Sequence, residues 1–156
     1  MDGKTKTLIL GMGNSLLSDD GVGICVAAEL KNRVDRPEIT VMETGVAGLS
    51  LLDLLVGYDK AIIVDAIQTV GGKAGQIYRL DPGAFDTARH TASAHGIDFT
   101  TALEFGKKLG LPLPQQIVIF AIEASDVSTF NEKCTPEVSK AIPTCVEMVL
   151  HELKRG

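Results

Sequence analysis

Short apolar runs alternate with segments of helical periodicity along most of the chain, and this alternation constrains the fold more than any other feature. Thr5–Leu10, Ile39–Met42, Ala61–Val64 and Gln116–Ile122 are compact β-branched and aliphatic runs. They read as strands, and Ala61–Val64, apolar without a break, as one buried on both faces of a parallel sheet. Between them, Gly21–Asn32 sets Val22, Cys25, Val26 and Leu30 at helical spacing. Leu49, Leu52 and Leu55 mark a second helix ended by Gly57, and Gly96–Lys108 carries Phe99, Ala102 and Leu103 on one face. Thr135-Pro136 opens the last helix, with threonine as cap and proline in the first turn, and Pro143 is expected to kink it. Gln76–Leu80 alternates polar and apolar residues instead. Its connection to the preceding strand is too short for a crossover helix, so it is predicted to run antiparallel on an edge. Pro82–Ser93 reads as a polar loop. The pattern predicts an α/β fold: a three-layer α/β/α sandwich on a five-stranded, mainly parallel twisted sheet with one antiparallel strand.

The 156 residues are read as a single domain, 1–156, with no repeat and no linker. Net charge is −5 and no basic run is present, which excludes a nucleic-acid backbone as partner. No apolar stretch approaches the ~20 residues of a membrane span. The run Leu8–Leu10 is too short for a signal-peptide core, so a cytoplasmic protein is expected. Three cysteines, Cys25, Cys134 and Cys145, form no Cys-x-x-Cys pair. They read as small, half-buried apolar side chains in a reducing compartment rather than as a zinc site or a disulfide framework.

The loop after the first strand, Gly11-Met12-Gly13-Asn14-Ser15-Leu16-Leu17-Ser18-Asp19-Asp20, invites comparison with a Rossmann-like nucleotide-binding module, and Glu43 mimics the ribose-binding acid. The third glycine of that fingerprint is replaced by Leu16. Asp19 and Asp20, placed at the positive end of the first helix, would also oppose a pyrophosphate at a cost on the order of 1–4 kcal/mol per charge pair. Helix capping explains one aspartate but not two. Ligands of open parallel sheets bind at the carboxyl ends of strands. Asp20 follows the first strand and Asp65 ends the third, with no helix beginning there. Right-handed crossovers order these strands second, first, third, which brings the two carboxylates together. Of the three histidines, His151 complements the end of the last helix, while His90 and His95 lie ahead of the third helix. His95 is followed directly by Gly96 and that helix, and it completes a carboxylate–carboxylate–imidazole set. Such a set suits nickel, zinc or a related divalent ion and leaves coordination positions open for substrate.

The segment Gly11–Gly23 resembles the N-terminal signature of the hydrogenase maturation proteases, endopeptidases that trim the C-terminal extension from the large subunit of nickel–iron hydrogenases. The resemblance continues through Glu43-Thr44-Gly45-Val46-Ala47-Gly48, Val64-Asp65-Ala66, Ser93-Ala94-His95 and Ile122-Glu123. Ala124 stands where many members have proline, which bears only on local loop shape. The resemblance implies Asp20, Asp65 and His95 as metal ligands and catalytic groups, on a sandwiched five-stranded sheet. It implies an endopeptidase filed as aspartic-type and metal-assisted, acting on a hydrogenase large-subunit precursor. Cleavage in the family depends on nickel already inserted, so the ion held is the precursor's own, with other divalent ions able to substitute. The metal serves as recognition handle and as Lewis acid. A carboxylate pair sharing a proton stays open as a second route. The enzyme is expected to be a monomer that leaves casein-like substrates intact. A metallochaperone that only senses nickel would share the same site.

Overall fold

The computed structural model describes residues 4–89 and 98–155. Five strands, β1 (Thr7–Met12), β2 (Ile39–Thr44), β3 (Lys60–Ile67), β4 (Ile77–Leu80) and β5 (Gln116–Glu123), form one sheet in the order β2-β1-β3-β5-β4. All neighbours are parallel except β4, which runs antiparallel to β5 on an edge. Helices α1 (Val22–Arg33), α2 (Leu51–Leu55), α3 (Pro82–Ala88), α4 (Phe99–Lys108) and α5 (Pro136–Lys154) cover the sheet.

The two-residue period of the strands divides the core into two layers. Ile9, Ile62, Val64, Val118, Phe120 and Ile122 pack against Val22, Val26 and Leu30 of α1 and Val138, Val146 and Val149 of α5. The alternate residues, Leu8, Leu10, Ile63, Ile67 and Ile119, pack against Leu51 and Leu55 of α2, Phe85 of α3 and Phe99 of α4. Phe85 and Phe99 meet edge to face at 5.3 Å, joining α3 to α4. Among the described residues, no helix is long and apolar enough to cross a membrane.

Several local expectations are corrected. The segment from Pro82 is helical to Ala88 rather than a loop. Asp81 caps it by accepting from the Ala84 N–H at 2.7 Å, and Pro82 occupies the first turn. Helix α4 begins at Phe99, with the Asp98 carboxylate accepting from the Thr101 N–H. The second helix is only five residues long, preceded by a 3-10 turn at Gly48–Ser50. Asp65 does not end its strand, because β3 runs on to Ile67. Pairing with β1 stops at Val64, however, so Asp65 has a partner only on the β5 side, at Ala121. Thr135 precedes α5, but its hydroxyl makes no cap and turns to Asp19. Helix α5 is continuous from Pro136 to Lys154 through Pro143.

Candidate active site

The site is built at the carboxyl edge of the sheet, where the chain leaves β1 and β3. Beyond β1 it tightens through an Asn14 turn, in which the side-chain carbonyl accepts from the Leu16 N–H at 2.9 Å. A 3-10 turn, Ser18–Gly21, follows and carries both aspartates. Gly13 is required here: its φ is +139°, and a Cβ would collide with the Asp20 carbonyl. A Cβ on Gly23 would collide with the Met12 and Val64 carbonyls, so its absence lets α1 seat directly on the sheet. These glycines serve chain packing.

The two adjacent aspartates are placed for different tasks. Asp19 is fully buried. Its carboxylate accepts from the backbone N–H groups of Ser125, Asp126 and Thr135 at 2.9, 3.0 and 2.7 Å, and from the Thr135 hydroxyl. Neither aspartate caps α1, whose N-cap is Gly21. Asp19 instead clamps the β5–α5 loop onto the β1 loop, a role the sequence reading missed because all its partners lie far along the chain. Asp20 is half-buried and, among the described residues, accepts from the Asn14 N–H at 3.0 Å.

Asp65 lies on the α3–α4 side of the sheet, by its alternation with Ile63 and Ile67. Its Oδ1 accepts from the Ala66 N–H at 2.8 Å. Desolvation, and then the negative charge of neighbouring Asp20, push its carboxyl up to about 8, against the opposing pull of Arg89. A carboxyl that keeps its proton through neutral pH therefore sits beside a second carboxylate. Such a pair can hold and pass a proton, or exchange that proton for a cation.

His95 and His90 lie outside the described residues. The chain on either side of them is anchored. Arg89 lies over the Phe85 ring at 5.4 Å and pairs with Asp86 at 3.3 Å. The Asp86 carboxylate also accepts from the Phe99 and Thr100 N–H groups at 3.1 and 2.9 Å. His151 is exposed in the last turn of α5, away from the carboxylate pair. Glu43 pairs with Lys31 at 2.9 Å. Glu123, at the end of β5, accepts from the Thr69 N–H and hydroxyl and from the Tyr78 hydroxyl, fixing the turn that follows β3. Among the described residues, no three His, Cys, Asp or Glu side chains gather into a metal-holding cluster.

Comparison with known proteins fits this geometry. The profile of the HycI hydrogenase maturation protease family matches residues 24–152. The hydrogenase 2 maturation protease of Escherichia coli is 27% identical, over 97% of this chain and 92% of that protein. The hydrogenase maturating endopeptidase HybD of E. coli superposes with a TM-score of 0.83 at 25% identity, covering 96% of this chain and 93% of its own. The [NiFe] hydrogenase maturation protease HycI of Thermococcus kodakarensis superposes at 0.74 with 26% identity, covering 98% and 95%. With the family profile spanning most of the chain and the same sheet recurring in solved endopeptidases, this protein belongs to the hydrogenase maturation protease family.

Proposed function

We propose that this endopeptidase removes the C-terminal extension of a nickel–iron hydrogenase large-subunit precursor after nickel has been inserted, and that Asp20, Asp65 and His95 form its catalytic, metal-contacting site. The observation that carries the proposal is the carboxyl pair at the sheet edge, with Asp65 raised to about 8 beside Asp20. Two carboxyl groups left facing one another are a costly arrangement unless a proton or a cation bridges them. The donor set fits a divalent ion: neutralising the mutual repulsion favours ionised Asp65, and an imidazole at His95 would add a nitrogen donor. The nickel is part of the substrate in this reading, and other divalent ions can substitute for it. Bound there, it would supply a Lewis acid near the scissile carbonyl.

The chain's own residues do the remaining work. Asp20 is held in orientation by the Asn14 N–H, and Asp65 by the Ala66 N–H. With the cation bound, Asp65 is an ionised ligand and Asp20 can accept a proton from an attacking water; without it, Asp65 keeps its proton at neutral pH. The raised carboxyl also favours a second route, in which the pair shares a proton and activates water as aspartic enzymes do. Arg89, the last described residue before the His95 segment, is close enough to Asp65 to pull its carboxyl down.

The surroundings suit a folded protein as substrate. Leu16, Val46, Leu49, Val70 and Phe130 are exposed, and all lie in the loops that follow β1, β2, β3 and β5 at this same edge. Val70 and Phe130 are the most open of these, at 80% and 84% exposed. The enzyme acts as a monomer in the cytoplasm in this reading. The test is incubation with nickel-loaded and nickel-free precursor, following release of the C-terminal peptide by mass spectrometry. Release from the loaded form alone is expected. Equal cleavage of both forms overturns the nickel requirement, and binding of loaded precursor without cleavage leaves a metallochaperone instead.

A further inference from the structure

Strand β4 is an edge of the sheet, and its outer side has no strand partner among the described residues. Glu123 of β5 gives its N–H to the Gln76 carbonyl at 2.8 Å. Bonded pairs in an antiparallel ladder recur at every second residue, so Tyr78 and Leu80 bond back to β5. The N–H and C=O groups of Ile77 and Arg79 then point outward, and among the described residues no backbone bond of this chain reaches them. Two cavities flank this edge, one on each face of the sheet. Tyr78 turns with the α3–α4 layer, where Gly71, Tyr78, Thr87 and Arg89 line a cavity of about 660 Å³. Ile77 turns with the α5 layer, where it lines a second cavity of about 510 Å³ with Glu137, Lys140 and Met148. An extended chain laid on the edge would set alternate side chains into the two.

The register ties this edge to the reacting groups. Ala121 of β5 pairs with Asp65 on one side and with Tyr78 on the other. Residues in register share a face, so Tyr78 and Asp65 look to the same side of the sheet. A strand added beyond β4 would lie three strand spacings from Asp65, about 14 Å, which about four extended residues span. We propose that the open edge of β4 binds the precursor's C-terminal extension as a sixth strand, its side chains alternating between the two cavities, with about four residues between the cut and the paired stretch. This rests on the cleavage proposed above. The occupant is the extension rather than the folded body of the precursor, because pairing with both Ile77 and Arg79 takes a segment whose own backbone groups are free.

The experiment places the photo-crosslinker p-benzoylphenylalanine at Lys140 or at Thr87, each exposed on the wall of one cavity. Each variant is mixed with nickel-loaded precursor, irradiated within the first turnover and mapped by mass spectrometry. The two probes are expected to mark extension residues of opposite parity, and the same probe at exposed Arg33 on α1 should mark none. Proline placed singly along the extension should raise KM about tenfold at every second residue of the paired stretch and leave kcat within about twofold. Links confined to the folded body of the precursor, links of one parity from both probes, links between two copies of this chain, or a proline series without alternation would each overturn the edge proposal while cleavage persists. A parent that cuts no precursor removes the cleavage reading, and this proposal with it.

Discussion

Strand β3 carries a charged residue near each end, and the two ends have been resolved in opposite ways. At the amino end, Lys60 is buried and gives an ion pair to Glu152 at 3.0 Å, while Arg79 grips the other oxygen of the same carboxylate at 2.8 Å. Those two cations, Arg79 the stronger, outweigh burial and hold Glu152 down to about 2. At the carboxyl end, desolvation and a second carboxylate push Asp65 to about 8, and Arg89, already paired with Asp86, opposes this only in part. One strand thus lies between a carboxyl held well below its usual range and one pushed well above it. The amino end is a finished ion cluster with nothing left to bind. The carboxyl end is unfinished, and an unfinished charge arrangement on a rigid strand is what a site for a proton or a cation requires.

The largest effect that would sharpen this contrast is on cleavage. Asp65→Asn and Asp20→Asn should each lower processing of nickel-loaded precursor by about 10²–10⁴-fold without unfolding the domain. Processing by Asp20→Asn at the parent rate would break the site assignment. At the opposite end, Glu152→Gln should leave the reaction intact in the cold but cost about 3–5 kcal/mol of stability, because Lys60 is left buried without its counter-charge. A denaturant titration measures it. That end also has a pH signature. Glu152 titrates lower in the fold than its unfolded value of 4.5, so its contribution is complete above about pH 5 and drains as the pH falls towards 2.

A smaller loss, about 2 kcal/mol, is expected for Asp19→Asn, which weakens four charge-assisted bonds without changing shape. Its cleavage should also fall, since Asp20 is carried on the same turn. Asp65→Asn should have the opposite sign in stability. Asp65 titrates higher in the fold than in the unfolded chain, so the folded state loses stability as pH rises from about 4 to about 8. The asparagine variant should therefore unfold at a higher temperature than the parent at pH 8, with the gain shrinking towards pH 4. A parent and variant that melt alike at pH 8 would show Asp65 to be unstrained. His151→Ala and His90→Ala should change stability by less than about 0.5 kcal/mol and leave processing nearly intact.

Much of this architecture was legible in the residues. Unbroken apolar runs marked the parallel strands, and the short glycine-rich connection marked β4 as antiparallel, because connection length decides strand direction. The nearness of Asp20 to Asp65 was legible too, since crossover handedness fixes which strands are neighbours and therefore which loops meet. What escaped were bonds between distant segments. Asp19 read like a helix cap beside Asp20, yet its partners are amides of the loop before α5. Thr135 read as a cap for the same helix, and its hydroxyl is drawn off by Asp19. Helix α3 was overlooked although Asp81-Pro82 carried its start signal, because its interior offers one large apolar residue, Phe85, too few to show a period.

The Asp19 clamp also sets an order of events during synthesis. The turn that presents Asp20 is made more than 100 residues before its neighbour's bonding partners, which come from Ser125 to Thr135. The β5 partner of Asp65, Ala121, is made almost as late. A nascent chain that has not reached Thr135 therefore carries both aspartates without the bonds that seat Asp19. The order of synthesis thus separates making the two aspartates from seating them.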